Sequence, residues 1–359
     1  MTDLVAILTR LSSTPGISGY EGPIRDVVID LWRQYADEIY TDRMGSVIAV
    51  KHGSGAEPRR RAMLAAHMDE IGLMVASLDK GFLHVTGVGG IDIRLLPGQE
   101  VVVHASRRGP DGQTVRLPGV IGARPPHLQA PGQRDNTVPM DETLVDVGLS
   151  ADELERWVRV GDLITFAREG AALGSGRFSG RALDNRASVA AVTVCLETLQ
   201  TRRHTWDAVA VATVQEEVTL GGARTSGFHV VPDLAIALDV TFGRGPGVGE
   251  SDTFPLGEGP TVAIGPNLHP KVVEQLKAAA GRLEMDIQIE PESGPTGTDA
   301  WALQITQAGI PCGLVGIPLR NMHSPVEVLS VKDVERAGRL CAETIAGLPD
   351  DFLATQVIQ

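Results

Sequence analysis

Apolar residues along the chain follow two spacings, short continuous runs and helical repeats, which alternate over much of its length. The continuous runs predict buried strands, and the repeats of three and four residues predict helices. Strands that alternate with helices favour an α/β fold with a mixed, largely parallel sheet flanked by helices. The predicted strands are Ala62–Ala66, Ala208–Val214, Leu234–Asp239, Ile287–Ile289 and Cys312–Val315. The predicted helices are Ser188–Leu199, Lys271–Leu283, Ala300–Ala308 and Val331–Leu348.

The first fifty residues predict two helices followed by a pair of strands. Helical spacing runs from Leu4 to Leu11 and again from Glu21 to about Tyr35, where Pro23 suits the first turn. Gly45 separates two short apolar segments, Ile39–Thr41 and Ser46–Val50, which we expect to pair as strands.

The pattern changes between about Leu78 and Phe166, where short β-rich runs are separated by glycine and proline. A single helical run interrupts them at Ala151–Val158. Many short strands without long helices are typical of a small barrel or sandwich. We therefore expect residues 77–166 to form a β domain inserted into an α/β domain of residues 1–76 and 167–359. The runs are Phe82–Val85, Val101–Ala105, Val120–Ile121, Leu144–Val147 and Leu163–Phe166.

Composition narrows the classes of protein. The formal net charge of −13 argues against nucleic acid or an anionic membrane as a partner. No apolar run approaches the roughly 18 residues that a membrane helix requires. The first residues lack a basic segment, so we expect no secretory signal and a cytoplasmic location. The three cysteines, Cys195, Cys312 and Cys341, are widely spaced and fit reduced, buried thiols.

Acidic and imidazole residues stand where several of these elements begin or end. His67 and Asp69 follow the run 62–66, and on an extended segment both side chains point the same way. The carboxylate can then accept the second N–H of a metal-binding imidazole, or simply cap a structural histidine. Asp184 precedes a helix, where it is either an N-cap or a carboxylate bridging two cations.

The adjacent carboxylates Glu216 and Glu217 directly follow a buried run, which is costly unless they are paired or bound to metal. On an extended backbone their side chains diverge, so that one can bind metal while the other faces substrate. Asp239 ends another apolar strand, and His323 lies on a loop beyond the last strand. Thr298 with Asp299 opens a helix, either as an N-cap or as the wall of a pocket.

Together these residues predict a metal site, because ligands collect beyond the carboxyl ends of strands in open α/β sheets. Ligation by histidine and carboxylate without cysteine suits Zn²⁺, Co²⁺ or Mn²⁺. The candidate residues are His67, Asp69, Asp184, Glu216, Glu217, Asp239 and His323.

Sequence motifs over nearly the full chain resemble those of the M42 family of metallo-aminopeptidases. The resemblance implies a phosphorylase/hydrolase-like peptidase domain with an inserted β-barrel dimerisation domain. It also implies self-association, often into a tetrahedral dodecamer, and peptide substrates. The motifs are Pro15-Gly-Ile-Ser-Gly-Tyr-Glu21, Ala66-His67-Met-Asp69-Glu-Ile-Gly, Arg124-Pro-Pro-His127-Leu, Val160-Gly-Asp162, Ala182-Leu-Asp184-Asn-Arg, Gln215-Glu216-Glu217-Val, Gly297-Thr-Asp299 and Met322-His323-Ser-Pro.

The resemblance also implies two divalent cations in each subunit, expected to be Zn²⁺, with Co²⁺ or Mn²⁺ as alternatives. His67, Asp184 and Asp239 would hold the first cation. Asp184, Glu217 and His323 would hold the second, so that Asp184 bridges both.

Two further roles follow from the resemblance. Glu216 would be the general base, and Asp69 would orient the metal-binding imidazole. The chain departs from the family where members commonly read Gln-Glu-Glu-Val-Gly-Leu-Arg-Gly-Ala, because here Val218-Thr-Leu-Gly-Gly-Ala223 follows the two glutamates. We therefore expect the chemistry to be retained and the shape of the loop near Thr219 and Gly221 to differ.

Two other functions could use part of this residue set. A glycoside hydrolase could use two of the carboxylates, but it would need neither His67 nor His323. A non-catalytic scaffold of the same fold would require a damaged site, whereas all seven residues are present. For substrate binding the sequence offers Thr298, Asp299 and Arg320, whose guanidinium would favour an acidic residue unless it pairs with a structural carboxylate.

Overall fold

The computed structural model describes residues 3–109, 112, 114–123, 125, 127 and 136–352. Of the motif that starts at Arg124, the residues Arg124, Pro126 and Leu128 lie outside the described part of the chain. The described residues form strands β1 (Glu38–Thr41), β2 (Val47–Lys51), β3 (Arg61–His67), β4 (Gly72–Asp79), β5 (Phe82–Val88), β6 (Glu100–Arg108), β7 (Thr114–Ile121), β8 (Leu144–Asp146), β9 (Leu163–Phe166), β10 (Ala171–Leu173), β11 (Arg177–Gly180), β12 (Asp207–Thr213), β13 (Leu234–Phe242), β14 (Thr261–Ile264), β15 (Gln288–Pro291), β16 (Cys312–Arg320) and β17 (Glu327–Ser330).

Helices cover and connect these strands. The first helix is capped by Asp3, whose side chain accepts a hydrogen bond from the backbone N–H of Ala6. The second helix has Pro23 in its first turn, where proline is favoured. The helices are α1 (Leu4–Ser13), α2 (Gly22–Trp32), α3 (Ala151–Trp157), α4 (Leu183–Leu199), α5 (Glu216–Thr219), α6 (Gly221–Val230), α7 (Pro270–Arg282), α8 (Asp299–Gln304) and α9 (Val331–Ala346).

A large mixed sheet forms the first of two regions and has the order β1-β2-β12-β3-β13-β16-β17-β11-β10, with β14 joining β15 to β16. Its four central strands, β12, β3, β13 and β16, run parallel to one another. These strands are buried almost throughout, as the long apolar runs predict for a sheet covered by helices. The predicted α/β fold with a mixed sheet is confirmed.

The second region is a closed antiparallel barrel with the strand order β4-β5-β8-β7-β6-β9. Pairing of β4 with β9 closes it. A separate apolar core fills this barrel, including Leu73, Leu83, Val103 and Ile164. The predicted small β-barrel is therefore confirmed as part of the fold. Its first strand begins at Gly72, directly after the segment that carries His67.

Several elements of the structure are longer than the apolar pattern predicts, and others are not predicted by it. Strand β7 covers eight residues, of which only Val120 and Ile121 were predicted, because its other positions include Thr114, Arg116 and Pro118. Strand β17 and helix α6 were not predicted, since both contain too few apolar residues in a regular repeat.

All three cysteines are buried and free, in agreement with the expectation of reduced thiols. Within the described ranges, none of the helices combines the length and the apolar character that crossing a bilayer demands.

Candidate metal centre

The parallel central strands bring the predicted residues to one edge of the sheet. His67 is the last residue of β3 and lies in register with Thr213, the last residue of β12. Asp239 lies near the end of the neighbouring strand β13, and His323 follows strand β16 by three residues. Because parallel strands end at the same edge, residues far apart in sequence meet there.

Asp184 does not follow one of these strands but lies at the beginning of helix α4. The preceding Ala182 has a left-handed backbone, and Asp184 and Asn185 have non-helical dihedral angles. This irregular turn keeps Asp184 off the regular helical path. Asn185 secures the turn, because its Nδ2 donates a hydrogen bond of 2.8 Å to the carbonyl oxygen of Leu238 on β13.

The Asp184 carboxylate lies between two imidazoles. Its Oδ1 is 3.2 Å from His67 Nε2, and its Oδ2 is 3.2 Å from His323 Nε2. Asp239 Oδ1 is 3.9 Å from His67 Nε2, and Glu217 Oε2 is 3.5 Å from His323 Nε2. Two groups of donor atoms result, each within 4.8 Å, and they share Asp184: His67, Asp184 and Asp239, and Asp184, Glu217 and His323.

Glu216 and Glu217 do not lie on an extended backbone, and that prediction is wrong. Gln215 has a left-handed backbone (φ 56°), and the two glutamates open the short helix α5. The turn occurs because the backbone N–H groups of Glu216 and Glu217 donate to the two carboxylate oxygens of Asp69, at 3.1 and 3.2 Å. The side chains still diverge, since Glu216 Oε2 approaches His67 Nε2 at 3.7 Å while Glu217 faces His323.

Asp69 also faces the other side of the His67 ring, with 3.5 Å between Asp69 Oδ1 and His67 Nδ1. That separation exceeds the usual hydrogen-bond length but leaves the carboxylate beside the ring nitrogen. The buried Asp69 thus binds the backbone at the start of α5 and also lies beside His67, a candidate ligand.

Glu327 on β17 is a residue that the sequence pattern does not indicate. Its Oε2 accepts from the backbone N–H groups of Leu183 and Asp184, at 2.6 and 3.2 Å, and its Oε1 accepts from that of His323 at 3.0 Å. The side chain is 2% exposed. One buried carboxylate therefore holds the backbone of two candidate ligands, on α4 and on the loop after β16.

Burial and crowding of negative charge shift the titration of the cluster. Burial raises the pKa of Glu216 to about 10, and together with the charge of Asp184 it raises that of Glu217 to about 7. Burial also raises the pKa of Asp239, whereas hydrogen bonds with the two imidazoles lower that of Asp184 against the effect of burial.

The donor set fits divalent cations on these grounds. Buried carboxylates outnumber the two imidazoles, and like charges at this spacing repel one another in a low-dielectric setting. Bound cations would offset that repulsion, and nitrogen with oxygen donors suits Zn²⁺, Co²⁺ or Mn²⁺.

The three residues predicted to bind substrate take separate positions. Thr298 lines a cavity of about 570 Å³ that opens onto the cluster. Asp299 is buried and accepts a hydrogen bond of 2.5 Å from Thr213 Oγ1. The Arg320 side chain instead donates through Nε to the carbonyl oxygen of Arg244, at 2.5 Å.

The barrel reaches this cluster through the segment after β5. A Cβ atom at Gly90 would lie 2.9 Å from His323 Nδ1, so a side chain there would require the imidazole ring to move. A Cβ atom at the preceding Gly89 would lie 3.5 Å from the Glu217 Cβ. The backbone after β5 therefore packs directly against two candidate ligands.

Comparison with known proteins identifies the family of the chain. The family model described as M42 glutamyl aminopeptidase matches residues 45–340. The lysyl aminopeptidase of Pyrococcus furiosus is 37% identical over 352 residues, covering 96% of this chain and 98% of the relative.

Solved structures of similar fold point the same way. Aminopeptidase APDkam598 from Desulfurococcus kamchatkensis superposes with a TM-score of 0.88 at 36% identity and 99% coverage of both chains. The Pyrococcus horikoshii TET1 peptidase, described as assembling into a tetrahedron or a large octahedral shell, gives a TM-score of 0.82 at 31% identity, over 96% of this chain and 100% of that one. The chain therefore belongs to the M42 glutamyl aminopeptidase family and is a hydrolase.

Proposed function

We propose that the protein is a dinuclear metal-dependent aminopeptidase that removes N-terminal residues from peptides. The observation that carries this proposal is Asp184, whose two carboxylate oxygens face different imidazoles at 3.2 Å each. A carboxylate in that position suits two neighbouring cations. His67 and Asp239 would complete one site, and Glu217 and His323 the other.

The two cations, when bound, would supply an activated water and polarise the scissile carbonyl. Glu216 would act as the general base, taking a proton from the attacking water and delivering it to the leaving amine. Two bound cations would favour the ionised carboxylate that this step needs, against the burial that raises the pKa of Glu216. Asp69 would keep the His67 ring in place and fix the first turn of α5 beneath Glu216.

A glycoside hydrolase is less consistent with the site. Two carboxylates suffice for that reaction, and neither would need an imidazole within 3.2 Å. A scaffold without activity is likewise disfavoured, because the candidate ligands and Glu216 lie together beside an open cavity.

Asp184→Ala tests the proposal most directly. We expect the variant to lose both cations together and to lose peptidase activity, because each group of donors depends on this carboxylate. Metal content is measured by elemental analysis after dialysis, and activity with aminoacyl chromogenic substrates on chelated enzyme given Zn²⁺, Co²⁺ or Mn²⁺ singly. Full metal content in the variant would contradict the bridging role.

We further propose that residues 77–166 act as a unit inserted into the α/β domain and mediate dimerisation within a tetrahedral dodecamer. The closed barrel and the assembly described for the Pyrococcus horikoshii relative support this arrangement. Light scattering coupled to size-exclusion chromatography tests it, with twelve times the mass of one chain expected. A monomeric mass at micromolar concentration would contradict the assembly.

A further inference from the structure

The cavity beside the candidate metal centre extends away from it over the end of the sheet. Asp239 and Thr241 lie two residues apart on β13, so their side chains share one face of the strand. The cavity is lined by both residues and continues to Glu290 and Glu292 at the end of β15. A substrate held at the ligands would therefore project a side chain toward two carboxylates.

Gly316 on β16 opens this path. It lies in register with Asp239 on one side and with Thr261 on the other. A Cβ atom there would overlap the Thr261 hydroxyl and lie 3.1 Å from Glu290 Oε2. The Glu290 carboxylate thus lies over Gly316, where no side chain blocks it. Strand β16, which carries Gly316, is roughly one strand spacing of 5 Å from strand β13, which carries Asp239.

Glu290 is a buried carboxylate held by neutral hydroxyl donors. Thr241 Oγ1 donates to Glu290 Oε1, and Thr261 Oγ1 donates to Glu290 Oε2 at 2.6 Å. The residue is only 8% exposed. Hydroxyl donors hold the carboxylate in place but do not balance its charge, so a cation entering the cavity would gain a charge-assisted hydrogen bond.

The remaining walls suit a long aliphatic stem. Leu314 and Val240 are apolar lining residues, and Trp301 on α8, which also lines the cavity, is 39% exposed. Arg224 on α6 also lines the cavity, but it is exposed, so water screens its charge. The charge of the buried Glu290 is therefore screened less than that of Arg224.

On the basis of the proposed aminopeptidase function, we propose that this cavity receives the side chain of the N-terminal substrate residue and selects lysine or arginine, with Glu290 as the partner of the terminal cation. Glu292, partly exposed beside it, adds negative charge to the same end of the cavity. This assignment opposes the acidic preference that Arg320 suggests from sequence, since its Nε is held by the backbone of Arg244.

The first experiment needs only the unmodified protein. Lysyl and norleucyl p-nitroanilides have the same stem and differ in the terminal charge, and a glutamyl substrate completes the series. We expect kcat/KM for the lysyl substrate to exceed that for the norleucyl substrate by on the order of 10-fold or more. An equal or lower value for lysyl, or a preference for glutamyl, would overturn the proposal.

Glu290→Gln, which keeps the shape of the side chain, tests the residue itself. We expect the ratio of lysyl to norleucyl kcat/KM to fall roughly 10-fold or more. Glu274→Gln on the exposed surface of α7 is the matched control and should leave that ratio unchanged. An unchanged ratio in Glu290→Gln would refute its role. Turnover of none of these substrates by metal-restored wild-type protein would instead contradict the aminopeptidase function, and this inference with it.

Discussion

The barrel and the large sheet both bury carboxylates, but they surround them with different neighbours. In the barrel, Asp162 is 4% exposed and accepts from the backbone N–H groups of Ser106 and Arg159, at 3.1 and 2.9 Å. At the edge of the sheet, Asp184, Asp239 and the paired glutamates face one another and two imidazoles.

This contrast separates structural from functional burial. A carboxylate that receives two backbone N–H groups has its charge satisfied where it lies. Several carboxylates that face each other share no such compensation, and burial with mutual repulsion raises the pKa of Glu217 to about 7. A buried acid therefore indicates a ligand site when its neighbours are acidic, and a structural role when they are backbone amides.

Glu216→Gln should have the largest effect on catalysis among changes that leave the ligands intact. We expect kcat to fall roughly 10²- to 10⁴-fold, the contribution typical of a general base, while metal content stays near that of wild type. Steady-state kinetics and elemental analysis measure the two quantities, with Glu274→Gln as control. Normal turnover would show that Glu216 is not the general base. It would also weaken the distinction between the buried carboxylates of the barrel and those at the edge of the large sheet.

Glu327→Gln should have an intermediate effect, because Glu327 belongs to both classes. It is satisfied by three backbone N–H groups, yet two of them belong to Asp184 and His323. Replacing one oxygen with an amide donor breaks at least one bond, so we expect metal affinity to fall about 10- to 100-fold. Competition with a chelator measures this. Unchanged affinity would show that Glu327 supports only the fold.

Asp162→Asn should have the smallest effect on activity. We expect it to lower the stability of the protein and to leave kcat/KM of the folded variant unchanged. Its amide nitrogen would face a backbone N–H, which costs roughly 1–3 kcal/mol of the free energy of unfolding. Denaturant unfolding measures the loss, and Asp79→Asn on the exposed face of β4 is the control. A fall in kcat/KM for the folded variant would mean that the barrel contributes to the active site through this residue.

The sequence pattern indicates the clustered acids and histidines more clearly than it indicates the individual barrel strands, for a physical reason. The central strands are continuous apolar runs, so the polar residue at the end of each run stands out, as at His67 and Asp239. The barrel strands expose one face to water, and their mixed composition hides them, as in β7 with Arg116 and Pro118.

The residues that the sequence did not indicate share another property. Glu327 and Glu290 lie within short strands, β17 and β15, where a single glutamate resembles an ordinary surface position. Their importance comes from contacts with residues far away along the chain, such as Leu183 for Glu327 and Thr241 for Glu290. The local sequence around a residue does not indicate contacts with such distant partners.

The close approach of Gly90 to His323 limits how the barrel can be exchanged during evolution or in protein engineering. A replacement module would have to bring its own glycine to that point, since any larger residue would push the imidazole ring aside. Swapping the barrel between relatives would therefore also alter the candidate metal centre, and we expect chimeras that ignore this junction to fold yet bind cations poorly.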